Sequence, residues 1–201
     1  MTPEKVFRIA SLVLLGGLVV MRGYFSLRVR QAGERLLPDR EAVEREGKGA
    51  FLLRVVSFFV LIGILVSYAS DLPWVVVLSF PLPVFLRWTG FAIGVAAVLL
   101  WTWTQAALRT AWSPQLQLRE EHHLVTTGPY SRVRHPLYTA TMCFGVGFAL
   151  VTANWFFALM TALSIWFLPN RVAKEERMMI DRFGEEYREY VRRTGRFLPK
   201  W

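Results

Sequence analysis

Between Leu137 and Asn170 the chain carries no charged residue, and this run constrains the fold more than any other feature. It is too long for one ordinary membrane span and short for two, because a span takes about 20 apolar residues. Asn154 divides it into halves that are each about 25 Å long if helical. A tight helical hairpin fits, with Asn154 near the turn, and Pro169 is expected to mark a kink or the exit. A hairpin returns its two ends to one level. The polar stretches at those ends, Gly128 to Tyr138 and Arg171 to Glu176, are therefore predicted to meet on one side of a membrane. Their meeting point is read as the active site.

The rest of the composition agrees with a membrane protein. Of 201 residues, 54% are hydrophobic, with eight Trp and fifteen Phe, and soluble domains are rarely so apolar. A formal charge of +9 raises the question of nucleic acid. The basic residues cluster in loops between apolar runs, as the positive-inside rule describes, so no nucleic-acid partner is expected. Cys143 is the single cysteine, which excludes an intrachain disulfide and a Cys-rich zinc site. No small-residue cleavage site follows the first apolar run, so that run is read as retained.

Taken in order, Val6 to Leu27 is read as a span, with Arg8 and Arg22 able to snorkel; the alternative is an interfacial helix. Arg28 to Gly49 is charged and reads as a solvated linker. Phe51 to Ser70 is a span with Arg54 near one end. Asp71 to Pro83 holds three prolines and reads as a turn or re-entrant piece. Val84 to Leu108 is the clearest span, and its Trp88, Trp101 and Trp103 suit interfacial belts. Arg109 to Arg134 is polar and loop-like. After the hairpin, Arg171 to Trp201 is amphipathic, with Phe183, Tyr187, Tyr190 and Val191 at helical spacing and a candidate break at Gly184. The fold class is thus an all-α integral membrane protein of about five transmembrane helices. The last two form a tight hairpin, and a cytoplasmic amphipathic C-terminal helix follows. Residues 1–108 form the N-terminal membrane region, and 109–201 the cofactor-binding catalytic region. Lys and Arg are dense after the first span, before the hairpin and in the tail, and absent from Asp71 to Pro83. This places those three dense segments, and the site, on the cytoplasmic side.

Three groups of residues carry chemistry. Pro136 suits the first position of a helix, and a helix N-terminus attracts anions. Arg134 and His135 add donors, and Tyr138 lies in the first turn, so a carboxylate-bearing ligand suits this place. The plainer reading makes Arg134 a phospholipid anchor and His135 a helix cap. Arg171 and Glu175, four apart, can pair on one helix face, and Glu176 points about 100° away. The two carboxylates can hold a ligand ammonium or remain a solvated acidic pair. His122-His123 has no third ligand at a supportive spacing, so no metal is expected. The backbone around Leu124-Val125 can instead hold a flat heterocycle.

These residues, His122 to Tyr130, Arg134 to Tyr138, Glu175-Glu176 and Phe183 to Tyr190, resemble the isoprenylcysteine carboxyl methyltransferase family and the related phospholipid methyltransferases. The motifs stand in the family's order over about the last 100 residues. The resemblance implies an integral membrane methyltransferase that uses S-adenosylmethionine and takes a lipophilic or lipidated acceptor. It implies cofactor contacts from His122, Leu124, Val125, Tyr130, His135, Pro136, Tyr138, Glu175 and Glu176, with Arg134 and Arg171 on the acceptor side. There are departures at Ala140, at Arg109 to Ser113 and at Thr194-Gly195, which bear on the acceptor more than on the cofactor. The expected reaction is methylation of an isoprenylcysteine-like carboxyl group. The alternatives are amine methylation of a phospholipid, nicotinamide-dependent reduction of a membrane lipid, and a membrane protein without enzymatic activity.

Overall fold

The computed structural model describes residues 2–31, 48–108 and 124–200. Among them there are helices and turns and no strand. Helix α1 is Pro3–Gln31, α2 is Lys48–Ala69 and α3 is Val84–Leu108. Helix α4 is Pro136–Thr152, α5 is Trp155–Phe183 and α6 is Glu185–Arg193. Each of the five segments expected to span is therefore helical. Three of the helices, α1, α3 and α5, are long and apolar enough to cross a membrane by length and composition. Large apolar side chains such as Val20, Leu99, Trp166 and Phe167 face outward, as a hydrocarbon solvent permits. The chain is a multi-pass integral membrane protein.

The core forms where small residues let helices approach. A Cβ added at Gly147 of α4 would lie 2.7 Å from both the Gly90 carbonyl oxygen and the Gly94 nitrogen of α3. One added at Gly90 would lie 2.8 Å from the Gly147 oxygen. In lipid, dispersion contacts at such small-residue crossings replace the hydrophobic drive. Helix α1 lays Phe7, Ala10, Ser11 and Leu14 against this pair, all buried and spaced as one helix face. Leu14 fills the space that a side chain at Gly94 would take, with its Cδ1 2.6 Å from that ideal Cβ position.

The end of the bundle remote from the candidate site is fixed by polar contacts. Arg87, only 4% exposed, donates from Nε to the Val151 carbonyl at 3.0 Å and from Nη1 to Glu4. Its guanidinium lies 4.1 Å from the centroid of the Phe7 ring. One side chain thus serves an otherwise open carbonyl at the C-terminus of α4, where a cation is also favoured by the helix dipole, and ties α1 to α3.

The hairpin turn falls at Ala153-Asn154, as its sequence predicts. Ala153 is left-handed, φ 46°, and ends α4. Asn154 caps α5 by accepting from the Phe156 amide at 3.0 Å, and its Nδ2 donates to the Val75 carbonyl at 3.1 Å. The proline-rich segment after α2 forms one helical turn at Pro73–Val76 and then pairs with the hairpin. The Phe80 amide donates to Ala153, and the Trp155 amide to Leu78. Replacing Asn154 with Ala removes both a cap and a buried partner of that segment. We expect it to destabilise the protein by about 1–3 kcal/mol, read as a lower midpoint of denaturation in detergent with the helical signal of the folded state unchanged.

Of the two alternatives for Pro169, a kink or the exit, the structure excludes the exit: helix α5 runs through Pro169 to Phe183. Proline forfeits one backbone bond, a loss that neighbouring packing tolerates in membrane helices. Beyond it the turns are held by Arg171 pairing with Glu175 and by Val172 and Glu176 packing inward. The helix stops at Gly184, φ 55°, a conformation open to glycine, and α6 follows at the predicted break.

Candidate active site

The site lies at the hairpin end opposite Asn154, where the start of α4 faces the charged third of α5. It is entered through a 3₁₀ turn at Gly128–Ser131. Gly128 takes φ 60°, and a Cβ there would sit 3.3 Å from Ala107 at the end of α3. Pro129 opens the turn, and Ser131 closes it with a bond from its hydroxyl to the Gly128 carbonyl at 2.7 Å. His135 precedes Pro136 and is non-helical, φ −124° and ψ 55°, as the residue before proline must usually be. Its side chain makes no capping bond, so the reading of His135 as a helix cap is set aside.

Two carboxylates organise the centre. Arg134 donates from Nε to Glu176 Oε1 at 3.0 Å, and Arg196 donates to Glu176 Oε2. The same Arg134 donates from Nη1 to the carbonyls of Val191, at 3.2 Å, and Thr194, and so closes the C-terminus of α6. Glu175 accepts from Arg171 at 3.3 Å and from the Tyr138 hydroxyl. Arg171 is 57% exposed and lies 5.7 Å from the centroid of the Tyr138 ring. His135 stands between the carboxylates, with Nδ1 3.9 Å from Glu175 and Nε2 3.4 Å from Glu176. The second approach lacks hydrogen-bond geometry, so Nε2 is buried without a partner, although the side chain is only 10% exposed. Three guanidinium groups (Arg134, Arg171, Arg196) and two carboxylates (Glu175, Glu176) leave the cluster with one net positive charge when His135 is neutral.

The tail closes the arrangement. Residues 194–197 run beside 132–135, with a parallel bridge between Val133 and Gly195. The amides of Arg134 and His135 donate to Gly195 and Arg196 at 2.8 and 3.0 Å, and the Gly195 amide donates to Arg132. Thr139 Oγ1 donates to the Phe197 carbonyl at 2.7 Å, and the Phe197 ring lies 6.2 Å from that of His135. Gly195 is required here, because a Cβ would lie 1.8 Å from the Leu198 carbonyl oxygen. Tyr190 of α6 donates its hydroxyl to the Tyr130 carbonyl at 2.6 Å. Burial raises the pKa of Tyr130, reinforced by neighbouring Tyr190 and Glu175. Burial likewise pushes Tyr190 up to about 12 against the pull of Arg134 and Arg193. Both hydroxyls are protonated at pH 7.

The structure thus brings together Arg134, His135, Pro136, Tyr138, Arg171, Glu175 and Glu176, with Tyr130 beneath α6. Leu124 and Val125 are half-buried in the irregular segment leading to the 3₁₀ turn. His122 lies outside the described residues. Sequence reasoning missed Arg196 and Phe197, whose signal was limited to an Arg-Phe pair in the tail, and noted Thr194 only as a departure from the family's pattern. Among the described residues no group of three or more His, Cys, Asp or Glu is placed to hold a metal ion.

Comparison with known proteins bears on the same region. Residues 88–181 match the sequence model of the isoprenylcysteine carboxyl methyltransferase family. Human protein-S-isoprenylcysteine O-methyltransferase is 36% identical over 101 residues, 47% of this chain and 36% of that protein. The nickel-cobalt-cadmium resistance protein NccN of Alcaligenes xylosoxydans xylosoxydans is 37% identical over 82 residues, 41% of this chain and 38% of that one. The matched part therefore spans little more than a third of either relative. In fold, the chain resembles the solved eukaryotic intramembrane Ras methyltransferase, an isoprenylcysteine carboxyl methyltransferase, with a TM-score of 0.54. That likeness has 20% identity and covers 74% of this chain and 52% of the other.

Proposed function

We propose that this chain, whose residues 88–181 match the isoprenylcysteine carboxyl methyltransferase family, transfers a methyl group from S-adenosylmethionine to the carboxylate of a lipophilic, isoprenylcysteine-like acceptor. The observation that carries the reading is His135, whose Nε2 is buried without a partner at the start of α4. A buried polar atom left open calls for a ligand. The surrounding charge, one positive in excess, suits the carboxylate of the cofactor. For its ammonium, Glu175 is the better partner, because the Tyr138 and Arg171 bonds both fall on Oε1, whereas Glu176 is engaged by Arg134 and Arg196.

The donor supplies a methyl group on a sulfonium, which a carboxylate oxygen displaces in line as the carbon–sulfur bond breaks. The acceptor is already ionised at pH 7, so the protein has no proton to remove and contributes alignment, which can offset about 7–11 kcal/mol of such a barrier. Arg171, exposed and beside Tyr138, is assigned to the acceptor carboxylate. Arg134 acts by holding Glu176 and the end of α6, a positioning role. Leu124 and Val125 are assigned to the lip of the cofactor pocket, with Tyr130 and Pro136 framing it, and His122 is assigned to the cofactor by the family's motif alone. The site is placed on the cytoplasmic side, within the catalytic region 109–201. What supports that side is the density of Lys and Arg after α1, before the hairpin and in the tail, against none in the segment joining α2 to α3.

The test is calorimetric titration of S-adenosylhomocysteine into purified protein in detergent, followed by transfer of labelled methyl to a farnesylated cysteine. Micromolar binding and incorporation into a base-labile ester are expected. Folded protein that binds no S-adenosylhomocysteine would overturn the assignment and direct attention to nicotinamide cofactors.

A further inference from the structure

Two neighbouring polar side chains on α3, Thr104 and Gln105, are 0% and 1% exposed. Among the described residues neither Thr104 Oγ1 nor Gln105 Nε2 has a hydrogen-bond partner. The other threonines of α3 behave differently. Thr89 and Thr102 close back on the carbonyls of Phe85 and Val98 at 3.0 and 2.8 Å, the usual resort of a helical threonine. A buried polar group left open is costly, and within a bilayer no water stands by to serve it. Such groups call for a ligand.

The register of α3 against α4 places this pair at the site. Gly90, Gly94, Ala97 and Trp101 form the buried stripe that leads up to it. Gly147 of α4 packs against Gly90 and Gly94, and Ala140 and Trp101 line one cavity, so the two helices run antiparallel. Four residues onward along α3 and four back along α4, about 6 Å on each, bring Gln105 level with Pro136. Among the described residues five side-chain nitrogen or oxygen atoms are buried without partners, and three of them, on Thr104, Gln105 and His135, fall at this level. The 3₁₀ turn seats on the same end of α3: an added Cβ at Gly128 would lie 3.3 Å from Ala107 and 3.7 Å from Trp103 Nε1. The segment carrying Leu124 and Val125 leads into that turn.

We infer that Gln105 and Thr104 bind the adenine of the cofactor, Gln105 through both ends of its carboxamide and Thr104 through its hydroxyl. The inference rests on the cofactor being S-adenosylmethionine. The charged end of that molecule is matched by charged groups, at His135 and Glu175. Its base is neutral, and a neutral partner suits it in an apolar interior, where an added charge would be costly. A carboxamide offers a donor and an acceptor in one plane, which fits the amino group of adenine and the ring nitrogen beside it. The Thr104 hydroxyl donates to a second ring nitrogen. Neither residue belongs to the motifs that carry the family resemblance, so α3 contributes to the cofactor pocket from outside them.

The experiment compares S-adenosylhomocysteine with S-inosylhomocysteine, in which an oxo group replaces the amino group of the base, by calorimetric titration into the full chain in detergent. Both carry the same charged end, so the ratio of their affinities reports on the base alone. Wild type is expected to prefer the adenine compound at least about tenfold, because a site built to pair with an amino group rejects the analogue that lacks it. Gln105→Met keeps the shape of the side chain without its hydrogen-bonding ends. It is expected to bring the preference below about threefold, and to leave the ligand-free protein melting at or above the wild-type temperature, because an open buried amide has been removed. Thr104→Val is expected to weaken both compounds alike, and Thr104→Ser to restore them. An unchanged preference in folded Gln105→Met overturns the inference and makes Gln105 a packing residue, while the methyl-transfer reading stands on the binding of S-adenosylhomocysteine. So does a lower melting temperature with unchanged affinities. Thr104→Val that binds both compounds as wild type does removes Thr104 from the site. Folded wild type that binds neither compound overturns the inference and the methyl-transfer reading together.

Discussion

Glu176→Ala is expected to release the C-terminal tail and destabilise the protein by about 3–5 kcal/mol, the range for breaking one side of a buried ion pair. The Glu176 side chain is 11% exposed and serves Arg134 and Arg196 from its two oxygens. Without it, the guanidinium of Arg134, itself 9% exposed, keeps only the carbonyls of Val191 and Thr194. Arg196 is deprived of its carboxylate partner, and the strand-like pairing of 194–197 with 132–135 loses the charge that pins it. Trypsin reads the outcome, because Arg192, Arg193 and Lys200 are exposed near this joint. Cleavage there is expected to accelerate, and the melting temperature in detergent to fall. Glu175→Ala is the internal comparison. Its pair with Arg171 is largely solvent-facing on the arginine side, and such pairs contribute about 0–1 kcal/mol, so the tail should remain in place. Equal tryptic rates for wild type and Glu176→Ala would show that the tail is held by its backbone bonds alone.

His135→Ala is expected to show the opposite division between stability and binding. Its Nε2 makes no hydrogen bond within the protein, so removal leaves no donor or acceptor stranded. The truncation forfeits loose packing of the imidazole against the rings of Tyr138 and Phe197, at centroid distances of 5.8 and 6.2 Å, and its approaches to Glu175 and Glu176 at 3.9 and 3.4 Å. The melting temperature should move little. Affinity for S-adenosylhomocysteine, in contrast, should fall at least tenfold, which corresponds to about 1.4 kcal/mol. Methyl transfer should fall further if the imidazole also aligns the reacting atoms. A variant that melts early yet binds normally would make His135 a packing residue and remove the main support for placing the cofactor at the start of α4.

Much of this architecture is legible in the sequence because it depends on local rules. An uncharged run of fixed length limits where helices can lie. Asn154 is a good cap in the middle of that run, and Pro136 is a good first residue at its start, so the turn and both helices follow. Once a hairpin is drawn, its geometry alone brings Arg134–Tyr138 beside Arg171–Glu176. The spacing of Arg171 and Glu175 predicts their pair, and Gly184 predicts the break before α6. Pro169 does not end the helix, because its local effect is outweighed by packing and ion pairing on the turns beyond it.

The sequence by itself therefore determined the helices, the hairpin and the set of residues that meet at its open end, since hydrophobic length, capping and helical period are properties of neighbours along the chain. Only the tertiary structure decided how those residues are used. It placed Arg196 on Glu176, laid the tail along Arg132–His135, and set Arg87 against the end of α4. These pairings join positions 20 to 64 residues apart through carbonyls and guanidinium groups. They depend on where separate helices come to rest against each other, through steps such as Gly90 and Gly147, and no periodicity within a single segment encodes that.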